Sequence, residues 1–487
     1  MQLKIKKFTW QIINKSLDAR KKQNIHWVIR VGIYSDEIKE NNTKPDTGLN
    51  IEYRKRNKKV VIAGSGPAGF FAAYTLQKAG FNTVILERGT DVQKRSEEIL
   101  HFEKSGKFSP VSNYSFGEGG AGTFSDGKLT SRSKHISSER NYIISNYVKA
   151  GAPEEISYLS HPHIGSDNLK IVVKNLREDY LLHGGNIHFE TLVSDLSLTG
   201  KKVNDAITDK KLFKADYFII APGHSSYETY RMLMYKGVPF RTKNFAVGYR
   251  AEHRQEVINK AQWGVEKLKG VKAAEYRLTS DGDGKHQVYT FCMCPGGIVV
   301  PATAYEYTNI VNGMSYYQRN GKFANAACVA GIHPDELFGK KVTPFDALAY
   351  LEQLERLFYN FSNGYIAPFC TIKDFLNGTV KTDHHETSYP LGITPAPLWQ
   401  MLPPVIVNAI REGVRNFNKK LSGFDSGILL GLESKTSSPV QVIRDKSGLC
   451  EGFDNLYIAG EGSGYSGGII SSAADGVKIA LNIIMSV

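Results

Sequence analysis

Three glycines and one acid carry the clearest chemistry in this chain. Gly64, Gly66 and Gly69 stand in the spacing G-x-G-x-x-G, and Glu87 follows 23 positions after Gly64. Such a loop presents backbone N–H groups to a pyrophosphate. Gly64 allows the tight turn, Gly66 removes the Cβ that would block the phosphates, and Gly69 lets the following helix pack closely. Pro67 and Ala68 complete the turn, and the phosphates then rest on the positive end of the helix. Glu87 can accept both hydroxyls of an adenosine ribose and would repel a 2′-phosphate; Arg88 and Gly89 follow it. The motif means dinucleotide binding only where strand, helix and second strand surround it in register. Val60 to Ala63 reads as a buried strand, Phe70 to Ala79 as the helix, and Thr83 to Leu86 as the next strand.

Other segments return to the same ligand and favour FAD over NAD. Asn455 to Ala459 (NLYIA) is an apolar strand followed by Gly460, Glu461 and Gly462, and a helix starts near Gly467, Gly468 and Ile469 and runs through Ile483. In flavoproteins with two such turns, the second holds the ribityl and pyrophosphate part of FAD. Its helix start stabilises negative charge on the reduced flavin by about 1 kcal/mol. Glu461 stands where Asp is more usual. Asp216 to Gly223 (DYFIIAPG) is a strand ending in Ala221, Pro222 and Gly223 near the cofactor, and the main chain of Val193 is expected at the adenine. The run GEGGAG at Gly117 to Gly122 has too little side chain for a core element. We read Gly119, Gly120, Ala121 and Gly122 as backbone pressed against the flavin or its diphosphate. Ser125, Asp126 and Lys128 follow within reach of the ring edge.

Cys294 and Lys128 are the residues expected to handle electrons or protons. Cys294 precedes Pro295-Gly296-Gly297, a turn that would expose it, and a thiolate beside a flavin can relay electrons. Cys292 shares the motif, but C-x-C is not the C-x-x-C redox spacing. Two small apolar residues in a buried strand is the competing reading. Cys328, Cys370 and Cys450 are scattered, so no four-ligand zinc pattern exists. His161 and His163 flank a proline, and His384 and His385 are adjacent, so neither pair has the i, i+4 spacing of a helical metal site. No metal is expected. Arg250, Glu252 and His253 either line a substrate pocket or form a solvated strand end.

Together these residues resemble the bacterial FAD-dependent dehydrogenases of unassigned substrate, related in fold to glutathione reductase and p-hydroxybenzoate hydroxylase. The likeness covers nearly the whole chain. Its most specific stretches are GEGGAGTFSDGKLTSR (Gly117 to Arg132), FCMCPGG (Phe291 to Gly297), SYPLG (Ser388 to Gly392), ESKTSSPVQVIRD (Glu433 to Asp445) and AGEGSGYSGGIISSAADG (Ala459 to Gly476). Lys435 and Gln441 stand where relatives are expected to carry arginine. Lysine cannot reproduce a bidentate fork and glutamine carries no charge, so binding of an anionic substrate at those positions is in doubt. The resemblance implies an FAD oxidoreductase and supplies no substrate.

Length and charge bound the architecture. With 487 residues, 41% of them apolar, the chain can bury two or three cores. No apolar run approaches the roughly 20 residues of a membrane-spanning helix. MQLKIKKFTWQIINK lacks the apolar core and cleavage site of a signal peptide, which with five unpatterned cysteines predicts a cytoplasmic protein. The expected fold is α/β: a Rossmann-like FAD domain on a central parallel sheet (57–235 and 424–487), an inserted mixed α+β substrate domain (236–423) and a small basic N-terminal α/β domain (1–56). In that first segment Leu3 to Phe8 and His26 to Tyr34 read as strands, Ser16 as the cap of a short helix, and Asn41 to Asn50 as a loop. Residues 1–60 hold 15 Lys/Arg against 6 Asp/Glu, which is +9 of the chain's +13.

The substrate region holds no second G-x-G-x-x-G. Electrons must come from the substrate, from NAD(P)H bound without its own Rossmann domain, or from a redox partner. The leading expectation is hydride exchange between noncovalent FAD and a small organic substrate. A second reading is a flavin-dependent, nucleic-acid-modifying or RNA-binding protein that uses the basic N-terminus, although a solvated basic face explains the same charge. A third is a flavin-binding redox sensor without turnover.

Overall fold

The computed structural model describes residues 5–37, 48–131 and 133–487. Its parallel sheet has five strands, in the order Leu456–Ile458, Tyr217–Ile220, Lys59–Ala63, Asn82–Leu86 and Asn186–His188. Val60, Val61 and Ile62 are fully buried, as expected of a β-branched run covered on both faces. Helix Pro67–Lys78 begins with proline at its first position, where the missing N–H costs nothing. Helix Ile469–Met485 packs against it closely enough that a Cβ on Gly476 would stand 2.0 Å from the carbonyl oxygen of Ala68.

The second body is an eight-stranded, largely antiparallel sheet. Its path runs Thr279–Ser280, Val288–Pro301, Phe323–Ile332, Phe245–Arg254, Ile428–Glu433, Ala367–Thr371 and Ile393–Pro395, with Val311–Met314 paired to Val288–Pro301. Alternation divides its faces: Val247, Tyr249 and Ala251 join Ile406, Ile410, Val414 and Phe417 of helix Pro404–Lys420 in one core. The strand Ile428–Glu433, expected in the C-terminal flavin segment, is hydrogen-bonded in the middle of this sheet. Arg250, Glu252 and His253 are all buried, which removes the solvated-end reading.

Near the N-terminus, Thr9–Asp18 and His26–Tyr34 form an antiparallel hairpin. Ser16 does not cap a helix: it sits in the first strand opposite Val28, because cross-strand pairing overrides a local capping preference. The first strand starts at Thr9, and the hairpin is docked by main-chain bonds between Lys15 and both Tyr158 and Ser160. Leu3, Lys4 and residues 41–47 of the expected loop lie outside the described residues.

Candidate functional site

One cavity of about 1340 Å³ lies between the strand ends of the parallel sheet and the eight-stranded sheet. It gathers Gly64, Gly66, Pro67, Ala68, Glu87, Arg88, Gly120, Ala121, Gly122, Ser125, Asp126, Lys128, Val193, Ala221, Pro222, Gly223, Glu461, Gly467, Gly468 and Ile469 from four parts of the chain. Gly69, Gly119, Gly460 and Cys294 are not on its surface. Gly69 serves packing, since a Cβ there would lie 2.0 Å from the carbonyl oxygen of Gly64. A Cβ on Gly119 would strike Thr123 Oγ1 at 2.1 Å. Gly460 donates its N–H to Asp475 Oδ2 at 2.7 Å. Cys294 is fully buried, and Cys292 occupies the wall in its place.

The bare backbone of the cavity fits an extended cofactor. A Cβ on Gly66 would meet nothing nearer than Gly120 Cα at 3.7 Å, and one on Gly467 nothing nearer than 3.9 Å. Protein packing does not require glycine at these two positions, and neither has a positive φ. Their missing side chains leave room for a ligand. Helices Pro67–Lys78 and Ile469–Met485 both begin at this cavity with no side-chain cap, so their first N–H groups are offered to an anion. Glu87 is set rigidly at the rim: Oε2 accepts from Ser65 N and Oγ at 2.8 and 2.7 Å, and Oε1 from Gly89 N at 2.9 Å and Gly117 N at 3.2 Å.

Side chains that sequence reasoning missed hold these loops in place. Arg95, fully buried on helix Val92–Ser105, donates to the carbonyl oxygens of Asn113, Tyr114, Gly117, Glu118 and Gly120. Burial lowers its pKa to about 10, against the pull of Glu87 and Glu118, so it stays charged at neutral pH. Its helix reads as polar and solvated, so no local signal marks the arginine. Glu118 accepts from Val92 N at 2.7 Å and pairs with Arg177 at 3.0 Å; burial, opposed by Arg177, raises it to about 7. Arg444 grips Asp475 at 2.7 Å and donates to the carbonyl oxygen of Ile458, bracing the second strand-to-helix turn. His224, beside the predicted Gly223, places Nδ1 3.4 Å from Glu461 Oε1, while its Nε2 is buried with no protein partner.

The facing wall is built from side chains. Lys128 Nζ donates to the carbonyl oxygen of Met293 and lies 3.4 Å from Glu275 Oε2; Glu275 Oε1 meets His161 Nδ1 at 2.9 Å. Burial opposes ionisation of Glu275, but Lys128, His161 and Arg319 outweigh it and hold this carboxyl well below the usual range. Asp126 is taken up by a bidentate pair with Arg319 at 2.5 and 3.0 Å. Ser125 turns back to the carbonyl oxygen of Gly122. Behind this wall Arg250 joins Glu433, Asn325, Asn312 and the carbonyl oxygen of Cys292. Lys435 is paired with Glu355 at 2.9 Å and donates to Tyr227 Oη, and Gln441 accepts the Arg241 guanidinium at 2.6 and 2.9 Å.

Comparison with known sequences decides the family. Residues 59–97 match the FAD binding domain, and residues 244–436 match the family described as FAD-dependent protein, C-terminal domain-like. An uncharacterised protein of Clostridium beijerinckii is 38% identical over 492 residues, spanning 97% of this chain and 92% of the relative. The chain belongs to the FAD-dependent proteins.

Solved structures similar to this FAD-dependent protein include L-proline dehydrogenase from P. horikoshii, with 11% identity, 89% of this chain and 95% of that one covered, and a TM-score of 0.38. Glycine oxidase from Bacillus cereus ATCC 14579 has 12% identity, 88% and 95% coverage, and a TM-score of 0.35. Overlaps of that extent carry nothing about substrate. Among the described residues, no helix is long and apolar enough to cross a membrane, and no group of three His, Cys, Asp or Glu is placed to hold a metal ion.

Proposed function

We propose that this FAD-dependent protein exchanges a hydride between bound FAD and a small organic molecule held against the eight-stranded sheet. The observation that carries this reading is the size and two-sidedness of the cavity. Its roughly 1340 Å³ exceeds the 300–1,000 Å³ usual for one ligand, and glycine backbone lines one side while charged side chains line the other. Gly64 to Ala68, Glu87 and Val193 would hold the adenosine half of FAD, with Gly120 to Gly122 and Glu461 to Ile469 around the flavin half. Bound FAD supplies two-electron transfer at its ring. The start of helix Ile469–Met485 favours negative charge beside it. Lys128, held by Met293 and Glu275, keeps a proton at Nζ on the substrate side. Cys294 acts from behind Cys292. In this reading the substrate domain spans roughly 236–423 together with the strand Ile428–Glu433, between the two flavin segments.

The test is the visible spectrum of the purified protein before and after anaerobic addition of NADH or NADPH. Flavin peaks that bleach make an oxidised metabolite the substrate class. Flavin that stays oxidised assigns the electrons to a reducing substrate or a redox partner. A colourless protein that takes up no added FAD would overturn the reading.

A further inference from the structure

The strand Val288–Pro301 slips in its pairing with Phe323–Ile332. Phe291 faces Ala327 and Cys294 faces Asn325, so Cys292 and Met293 together stand opposite Ala326. Cys292 adopts the left-handed region at φ +44. A side chain resists that conformation, and bulges of this kind persist where they re-aim a residue. Here the bulge puts Cys292 on the cavity wall and leaves Cys294 fully buried behind it. Cys294 Sγ donates to the carbonyl oxygen of Cys292 at 3.3 Å and lies 3.5 Å from the Arg250 guanidinium, and the two thiols are near enough to shift each other's ionisation. The hydrogen bond from Cys294 outweighs burial and, with Arg250 and Lys128, holds the Cys292 thiol below its ordinary range. Burial and the neighbouring Cys292 push Cys294 up. The arrangement favours the thiolate, the nucleophilic form, at Cys292 and the thiol at its neighbour Cys294. Cys328, Cys370 and Cys450 are instead buried, with thiols pushed up to about 12 by burial.

We infer that Cys292 and Cys294 form a redox couple that cycles between a dithiol and a disulfide within the strand and exchanges its electrons with FAD. The inference rests on the flavin reading above. A regular strand would hold residues two apart about 6.6 Å from Cα to Cα, at the long end of the 4.4–6.8 Å window of a disulfide and with the Cβ atoms too far apart to bond; the bulge and the left-handed Cys292 break that regular spacing, and closure needs the two side chains to turn toward each other there. Closing the bond converts two thiols to one S–S bond and releases two electrons and two protons, which convert oxidised FAD to its dihydro form. The reverse reaction reopens the pair. Lys128, Glu275 and the largely exposed His161 form a polar line from beside Met293 to solvent along which protons are exchanged.

The experiment compares holoprotein reduced with dithiothreitol against holoprotein oxidised with diamide, each denatured, alkylated and digested. All five cysteines should be alkylated in the reduced sample and three in the oxidised one. The missing pair should appear as a Cys292–Cys294 bond in a peptide two hydrogens lighter. Anaerobic dithionite titration should consume two two-electron equivalents per flavin in the oxidised wild type, and one in Cys292→Ser and Cys294→Ser. Five free thiols after diamide, a bond to another cysteine, or a single equivalent in the wild type would each overturn the couple. The peptide map needs no variant to fold. A protein without flavin would sink the functional reading, while the map would still decide whether the pair closes.

Discussion

Along the wall made by Gly64 to Ala68, Gly120 to Gly122 and Gly467 to Ile469, what meets a ligand is largely main chain. On the facing wall, made by Lys128, Glu275, Cys292 and Met293, it is mostly side chain. The first wall is neutral and offers N–H groups and helix ends of the kind that take a phosphate in dinucleotide-binding folds. The second sets charge against charge in a partly buried place, backed by Arg250 and Glu433 at 2.9 Å. In the proposed reading cofactor binding is thus separable from reactivity: the glycine wall would position FAD, and the charged wall would meet the substrate.

Breaking the support of the charged wall should produce the largest change. Arg250→Met leaves Glu433 buried without its cation and should cost about 3–5 kcal/mol of stability, read by chemical denaturation. Arg250→Met with Glu433→Leu should cost much less. On the glycine wall, Gly66→Ala should keep the fold, since its Cβ meets no protein atom nearer than Gly120 Cα at 3.7 Å, yet raise the FAD dissociation constant about 100-fold, or about 2.7 kcal/mol. Equilibrium flavin titration checks it, and unchanged affinity would place the phosphates elsewhere.

A pH profile sharpens the contrast through the glycine loop's own buried acid. Glu118 is raised to about 7 in the fold from an ordinary value of 4.5. Between those values the folded state holds a proton that the unfolded state has released, so its stability contribution is present below about pH 4.5 and lost as pH rises through 7. Denaturation curves should show up to about 3 kcal/mol of loss over that range, flattened in Glu118→Gln. The smallest expected effect is that of Lys128→Met, about tenfold, or about 1.4 kcal/mol, in the stopped-flow rate of flavin reduction by whichever donor bleaches it. Thermal stability should be little changed, because this partly exposed ion pair contributes little.

The cofactor wall was legible from residue order alone because its determinants are local. Strand, Gly64, Gly66, Gly69, helix and Glu87 occupy one run of about thirty residues, and a conformation without a Cβ has to be written as glycine wherever it occurs. The hairpin strand His26–Tyr34 and the helix after Gly468 were readable for the same reason, since period and breakers are short-range signals. The charged wall depended on contacts between positions far apart in the chain. Lys128 meets Glu275, Arg250 meets Glu433 across the sheet, and Ile428–Glu433 joins a sheet whose other strands lie well before it. Which of Cys292 and Cys294 faces the cavity turned on a one-residue slip in strand pairing. In a two-residue repeat such a slip re-aims the side chains that follow it, so only the register of the folded sheet could choose between them.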